Sequence, residues 1–169
     1  MVFWDTSALL KLYINEPDSN TFTALAESEE PLAISGWTTQ EMLCGLHRKE
    51  LLRDLKRGGA DAIHQRMLRQ IAGGTLHVIA YTATVAQRTT DVIRACYGAQ
   101  TPVAIRSLDA LQLASALGGG AVEIVSTDAR LRAGAKIFNL RVLPADLTLI
   151  PMRHPAQIMK HGELHAWQS

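Results

Sequence analysis

Residues 2–8 read Val2-Phe3-Trp4-Asp5-Thr6-Ser7-Ala8, three apolar residues followed by a change to polar ones at Asp5. Consecutive apolar positions, unlike alternating ones, predict a short strand that is buried on both faces. Such strands belong to parallel sheets covered by helices, which bind ligands at the carboxyl ends of their strands. The segment therefore predicts an α/β fold and makes Asp5 a candidate functional residue.

The rest of the chain repeats the alternation of strand and helix. Further short apolar runs predict strands at residues 32–35, 76–79, 122–126 and 141–143. The intervening segments predict helices at residues 7–13, 19–28, 38–56, 60–71, 82–97, 107–117 and 128–138. This order predicts one α/β domain over residues 1–144, with a central parallel β-sheet of about four to five strands flanked by helices. Residues 145–169 show no clear period and are expected to form a C-terminal extension.

Composition restricts the class of protein. The chain has 169 residues, of which 47% are hydrophobic and 20% charged, as in folded globular domains and unlike disordered chains. No apolar run approaches the ~20 residues that cross a bilayer, and the N-terminus lacks the pattern of a secretory signal. We expect a cytoplasmic protein without membrane association, whose two cysteines, Cys44 and Cys96, are reduced core residues.

Four acids fall where one edge of the predicted sheet would gather them. Asp5 ends the first strand and Asp128 directly follows the fourth. Glu41 lies in the first turn of the helix after the second strand, and Asp109 in the first turn of the helix that leads into the fourth. These positions predict a single crevice lined by four carboxylates.

Clustered carboxylates repel one another unless a cation neutralises them. Oxygen ligands without nearby Cys or His favour Mg²⁺ or Mn²⁺ over Zn²⁺, and such ions promote hydrolysis of phosphodiesters. In this hypothesis Asp5, Asp109 and Glu41 hold the ion and Asp128 completes the site. Each acid at a helix start has the alternative role of a helix cap.

The charge distribution leaves two interpretations open. Residues 1–41 carry seven acids and one cation, whereas residues 48–69 carry seven cations and three acids. The basic segment is either a track for a phosphate backbone or a solvated helix face with internal ion pairs.

Four segments together resemble the PIN-domain ribonucleases, specifically the VapC-type toxins of prokaryotic toxin–antitoxin pairs. The first is the N-terminal stretch quoted above, and the second is Thr38-Thr39-Gln40-Glu41. The third is Ser107-Leu108-Asp109-Ala110-Leu111-Gln112-Leu113-Ala114-Ser115-Ala116, and the fourth is Ile124-Val125-Ser126-Thr127-Asp128-Ala129-Arg130-Leu131. They occur in the family's order, and the resemblance spans residues 2–144.

The resemblance implies a Mg²⁺- or Mn²⁺-dependent endoribonuclease that cuts RNA, forms a homodimer and is inhibited by a cognate antitoxin. Asp5, Glu41, Asp109 and Asp128 stand at the family's acidic positions. The resemblance further implies that Ser7 and Ser126 support these carboxylates or metal-bound water. Arg106 is expected to orient Asp109 or to contact a phosphate.

Three alternatives compete with this prediction. A non-catalytic module with the same fold would retain the acids only as a metal or partner site. A phosphatase with an aspartyl nucleophile requires a second Asp two residues after the first, where this chain has Ser7. The pair His161 and His165 has helical metal-ligand spacing, but Gly162 between them disfavours the helix. Asp91, in the helix before the third of these segments, is expected to lie on the surface, with a place in the lining of the site as the alternative.

Overall fold

The computed structural model describes residues 1–27 and 31–147. Within these residues the strands are β1 (Val2–Trp4), β2 (Leu32–Ser35), β3 (Leu76–Ile79), β4 (Glu123–Val125) and β5 (Arg141–Leu143). The helices are α1 (Thr6–Leu9), α2 (Ser19–Ala26), α3 (Thr38–Leu51), α4 (Gly59–Ala72), α5 (Ala83–Gly98), α6 (Ser107–Gly118) and α7 (Ala129–Ile137). A 3-10 turn at Leu10–Leu12 follows α1 directly. The predicted single α/β domain is confirmed.

The five strands are all parallel and form one sheet in the order β3-β2-β1-β4-β5. The chain runs outward from β1 through β2 to β3 and then crosses to β4 on the other side of β1. The order of the strands therefore reverses beside β1. In open parallel sheets the crevice at this reversal, beyond the carboxyl ends of the strands, is the usual ligand site.

The central strand β1 is buried on both faces, as its run of apolar residues predicts. Phe3 packs with Ile124 on the face covered by α5, α6 and α7. Val2 and Trp4 point to the opposite face, where Trp4 meets the ring of Phe22 from α2 edge-on at 6.5 Å between ring centroids. Burial of these large side chains fixes the position of β1, and so of the residue that follows it, because cores are closely packed.

Two predicted helix boundaries were wrong. The helix predicted over residues 38–56 ends at Leu51, because Arg53 adopts a left-handed backbone (φ 62°) and the N–H of Asp54 turns back to the carbonyl of Lys49 at 2.9 Å. The helix predicted over residues 7–13 is a single α-turn followed by the 3-10 turn. Both errors shorten elements without moving the strands.

Three further expectations concern membrane helices, the two cysteines and the C-terminal extension. No helix among the described residues is long and apolar enough to cross a membrane. Both cysteines are free, and Cys96 is buried as predicted, but Cys44 is exposed on α3 and the prediction of a core position was wrong for it. Most of the predicted C-terminal extension, residues 148–169, lies outside the described part of the chain and includes His161 and His165.

Candidate active site at the carboxyl edge of the sheet

Asp5 is held at the point where β1 ends. Its backbone N–H donates to the carbonyl of Val125 at 3.0 Å, which continues the pairing of β1 with β4 by one residue. Its side chain is only 7% exposed and caps α1. The carboxylate oxygen Oδ2 accepts from the Ser7 hydroxyl at 2.6 Å, from the Ser7 N–H at 3.3 Å and from the Ser126 hydroxyl at 3.0 Å. These bonds from described residues all end on Oδ2, which leaves Oδ1 as the atom available to a ligand.

Burial raises the pKa of Asp5 from 3.8 to about 6. The negative charge of Glu41 raises it further, whereas the hydrogen bonds from Ser7 and Ser126 act in the opposite direction. A buried carboxyl of this kind is poised to exchange its proton for a cation near neutral pH, since a metal ion would stabilise the charged form that burial disfavours.

The two serines also join α1, which follows β1, to the loop after β4. The Ser7 hydroxyl accepts from the N–H of Thr127 at 3.0 Å, and the Ser126 hydroxyl accepts from the N–H of Asp128 at 3.0 Å. Each hydroxyl therefore donates to Asp5 and accepts from a backbone N–H of the loop after β4. The arrangement orients both hydroxyl hydrogens toward the carboxylate and fixes the start of α7 relative to Asp5.

Glu41 lies in the first turn of α3 and is partly buried. Its Oε2 accepts from the hydroxyl of Thr6 at 2.8 Å and from the amide nitrogen Nε2 of Gln112. Neither partner was predicted as a site residue. The signal in the sequence was the polar Gln112 within the otherwise apolar run Leu111-Gln112-Leu113-Ala114. In the structure the side chain of Gln112 is only 1% exposed.

Asp109 and Asp128 form a second acidic pair. Asp109 lies in the first turn of α6, where its Oδ2 accepts from the backbone N–H of Arg106 at 3.4 Å. The pKa of Asp109 is raised by partial burial and by the charge of Asp128, while the cations Arg106 and Arg130 lower it. Arg106 thus acts on Asp109 through its backbone N–H and its charge, and its side chain is exposed.

Asp128 is the N-cap of α7. Its Oδ1 accepts from the N–H groups of Arg130 at 2.8 Å and Leu131 at 3.0 Å. The capping role that the sequence left open for an acid at a helix start is therefore present at Asp128. Capping engages Oδ1 and leaves the charge of the carboxylate in place, so a cap does not exclude a second role at the site.

The four acids are arranged as two pairs, Asp5 with Glu41 and Asp109 with Asp128, in which one acid raises the pKa of the other. Within residues 1–27 and 31–147 no three His, Cys, Asp or Glu side chains converge closely enough to form a metal site by themselves. Mg²⁺ is commonly held by one or two carboxylates, with water and substrate phosphate completing its six ligands. The all-oxygen donor set, with a buried carboxyl whose pKa is raised, fits such an ion.

The predicted surface acid and the basic segment form contacts with residues other than these four carboxylates. Asp91 is exposed on α5 and accepts from Gln87 at 3.4 Å. In the basic segment Lys49 pairs with Glu16 at 2.7 Å and with Asp54 at 3.3 Å. The exposed end of α3 at Leu51 is about 15 Å along the helix from Glu41, at ~1.5 Å per residue.

Other cations of the basic segment stay exposed. Arg53 and Arg57 border a groove of about 510 Å³ together with His47, Glu50, Leu51 and Leu55. The ion pairs of Lys49 agree with a solvated helix face. The exposed Arg53 and Arg57 leave the alternative of a track for a phosphate backbone open.

Comparison with known proteins identifies a family whose model matches most of the chain. The family model described as PIN domain matches residues 2–137. Comparison of the sequence with curated proteins finds no match.

Several solved structures share the fold. The VapC20 toxin of Mycobacterium tuberculosis, described as cleaving the sarcin–ricin loop, superposes with a TM-score of 0.60 at 18% identity, over 79% of this chain and 94% of that one. A toxin–antitoxin complex from Klebsiella pneumoniae gives 0.57 at 20% identity, over 85% and 96%. FitAcB from Neisseria gonorrhoeae gives 0.61 at 17% identity, over 84% and 96%. At these identities the likeness establishes the fold alone.

Proposed function

The chain belongs to the PIN-domain family, and from this premise we propose that it is a divalent-metal-dependent endoribonuclease that acts as the toxin of a toxin–antitoxin pair. The nuclease class follows from the family, whereas the metal, the RNA substrate and the partner are parts of the proposal. The observation that carries it is the buried Asp5 carboxyl at the strand reversal, with Glu41 beside it and the Asp109–Asp128 pair on neighbouring elements.

The proposed ligands divide between the two pairs. Asp5 and Glu41 would bind the ion through Oδ1 and Oε1, because Oδ2 and Oε2 are engaged by hydrogen bonds from within the protein. Asp109 would bind it directly or through water, and Asp128 would complete the site or hold the attacking water. When bound, Mg²⁺ or Mn²⁺ lowers the pKa of a coordinated water and polarises the phosphate that is attacked.

The chain's own groups set the charge state of this site. The donors from Ser7 and Ser126 favour the carboxylate form of Asp5, which a cation requires. Arg106 and Arg130 lie close enough to Asp109 to lower its pKa, and both side chains are exposed. In the proposal these two cations receive the phosphates that flank the cleaved bond, since guanidinium groups pair well with phosphate oxygens.

The biological setting is inferred from the proteins that share the fold. One of them is described as a toxin that cleaves the sarcin–ricin loop and another as a toxin–antitoxin complex. We extend both properties to this chain, with a cognate antitoxin as the inhibitory partner, a homodimer as the active assembly and the cytoplasm as the place of action.

Cleavage of purified cellular RNA tests the proposal. Wild type and the Asp5→Asn/Asp109→Asn double variant are compared with Mg²⁺, with Mn²⁺ and with a chelator, and the ends of the fragments are mapped. The matched control is Asp91→Asn, which removes the charge of an exposed acid whose hydrogen-bond partner is Gln87 and not a proposed site residue. Discrete metal-dependent cuts by wild type and Asp91→Asn, but not by the double variant, are expected.

Two outcomes would contradict the proposal. Equal inactivity of all three proteins toward RNA, with both metals, would favour the alternative of a non-catalytic module that binds a metal or a partner. Equal cleavage by wild type and the double variant would show that Asp5 and Asp109 are not required for any activity observed, which contradicts the proposed site.

A further inference from the structure

The carboxylate of Glu41 is held by a residue of another helix. We propose that Gln112 of α6 is a positioning residue that orients Glu41 of α3 for metal binding, and this inference rests on the proposed function. The side chain of Gln112 is 1% exposed, although glutamine is mostly found at protein surfaces. A buried amide needs partners for its polar atoms, and these partners are the residues around Glu41.

The contacts of Gln112 form a small closed network. Its Nε2 donates to Oε2 of Glu41 and lies 3.4 Å from the hydroxyl of Thr6. The hydroxyl of Thr38 lies 3.3 Å from both Nε2 and Oε1 of the amide. The Thr6 hydroxyl in turn donates to the same Glu41 oxygen at 2.8 Å.

Chemistry fixes the orientation of the amide in this network. A carboxylate only accepts hydrogen bonds, so the Gln112 atom that faces Glu41 must be the NH₂ group rather than the carbonyl oxygen. The carbonyl oxygen is then left to accept from the hydroxyl of Thr38. Glu41 receives two donors on Oε2, which restricts its side-chain torsions and leaves Oε1 as the oxygen available to an ion.

The position of Gln112 also connects the two acidic pairs. Gln112 follows Asp109 by three residues on α6, close to one helical turn. One rigid helix thus presents Asp109 to Asp128 and presents Gln112 to Glu41, the neighbour of Asp5. Because α6 spans both pairs, the placement of Glu41 relative to Asp109 is set by this helix and not by α3 alone.

Direct Mn²⁺ binding, followed by electron paramagnetic resonance of the free ion, tests the inference without RNA. Gln112→Met keeps the length of the side chain and removes its donors, and Gln112→Asn keeps an amide that is too short to reach Glu41. Both are expected to weaken the Mn²⁺ Kd by about 10- to 100-fold, as for other residues that orient metal ligands. The matched control is Ser115→Ala, another buried polar residue of α6, whose hydroxyl meets Ser35 at 3.3 Å.

A double-variant cycle separates positioning from a merely structural role. In a Glu41→Gln background, Gln112→Asn is expected to cause no further loss of Mn²⁺ affinity, because Glu41 is the group through which Gln112 acts. Equal losses in both backgrounds, an unchanged Kd in the single variants of Gln112, or a loss in Ser115→Ala as large as theirs would overturn the inference.

The outcome is distinguishable from failure of the proposed function. A wild type that binds Mn²⁺ but cuts no RNA, with weaker binding in the Gln112 variants, would refute the nuclease and support the positioning role. A wild type that cuts RNA with unchanged metal dependence in both Gln112 variants would support the nuclease and refute the positioning role.

Discussion

Ser126 lies 121 positions after Asp5 in the chain, and its hydroxyl donates a hydrogen bond of 3.0 Å to Oδ2 of Asp5. Both residues are buried, with Ser126 fully inaccessible. The bond joins the ends of the two adjacent strands β1 and β4 at the reversal of strand order. It makes the protonation of Asp5 depend on the loop that carries Asp128.

Removal of this hydroxyl is expected to affect both Asp5 and the loop. Ser126→Ala deletes a donor that lowers the pKa of Asp5, so the pKa rises above about 6. It also leaves the N–H of Asp128 without its acceptor, which is expected to cost about 1–3 kcal/mol in the free energy of unfolding. The measurements are urea denaturation and the pH dependence of metal-supported cleavage, whose acid limb should move to higher pH.

Ser115→Ala is the control for the effect of Ser126→Ala. It removes a hydroxyl that is buried to a similar degree and whose hydrogen-bond partner is Ser35 instead of one of the four acids. An acid limb that stays in place in Ser126→Ala, or moves equally in Ser115→Ala, would contradict the role assigned to the bond between Ser126 and Asp5.

The free energy of unfolding of the metal-free protein should depend on pH through the titration of Asp5. Its pKa is raised in the folded state to about 6 from 3.8, so between these values the folded protein binds more protons than the unfolded chain. The contribution of Asp5 to stability is therefore greatest below pH 3.8, falls as pH rises and levels off above pH 6. The total change is about 3 kcal/mol at 1.36 kcal/mol per pKa unit.

Asp5→Asn isolates this contribution because it removes the titrating group and retains a side chain of the same size. The difference in unfolding free energy between Asp5→Asn and wild type, without metal, should grow in favour of the variant from pH 4 to pH 7. Chemical denaturation across that pH range measures it. A difference that is constant with pH, or that grows in favour of wild type, would refute the raised pKa.

Much of this arrangement could be predicted from residues that act alone or with near neighbours. The buried strand β1 followed from Val2, Phe3 and Trp4, because burial on both faces requires an uninterrupted apolar run. The position of Asp5 at the carboxyl edge followed from the same run. The early end of α3 could not be predicted, since it depends on a left-handed backbone at Arg53. The sequence signal for that conformation is glycine, and position 53 is an arginine.

The partners of Glu41 escaped prediction for a different reason. Gln112 binds Glu41 across 71 positions of sequence and Thr6 binds it across 35. Neither glutamine nor threonine is charged, and neither residue type by itself indicates a metal site. Their role arises only when α6, α1 and α3 are packed together. The pairing of the four acids into two sets likewise depends on helix placement, which spacing along the chain does not define.

Mn²⁺ affinity should depend steeply on pH around the pKa of Asp5. A proton and the ion compete for a carboxyl whose pKa in the metal-free folded protein is about 6. The Kd should therefore be nearly constant above pH 7 and weaken about tenfold for each pH unit below 6. Calorimetric titration of wild type from pH 5 to pH 8 measures this, and a Kd that is flat across the range would exclude Asp5 as a ligand.

Asp128 offers the sharpest separation between a structural and a functional acid, because its capping role is already visible in the bonds from the N–H groups of Arg130 and Leu131. Asp128→Asn keeps an oxygen that caps α7 and removes the charge, so the unfolding free energy should change by only a few tenths of a kcal/mol, since Asn and Asp cap almost equally well. Asp128→Ala removes both and should lose about 1 kcal/mol. If Asp128 serves the site, cleavage should fall at least tenfold in both variants. Full activity in Asp128→Asn, with reduced stability only in Asp128→Ala, would reduce Asp128 to a helix cap and leave Asp5, Glu41 and Asp109 as the proposed ligands.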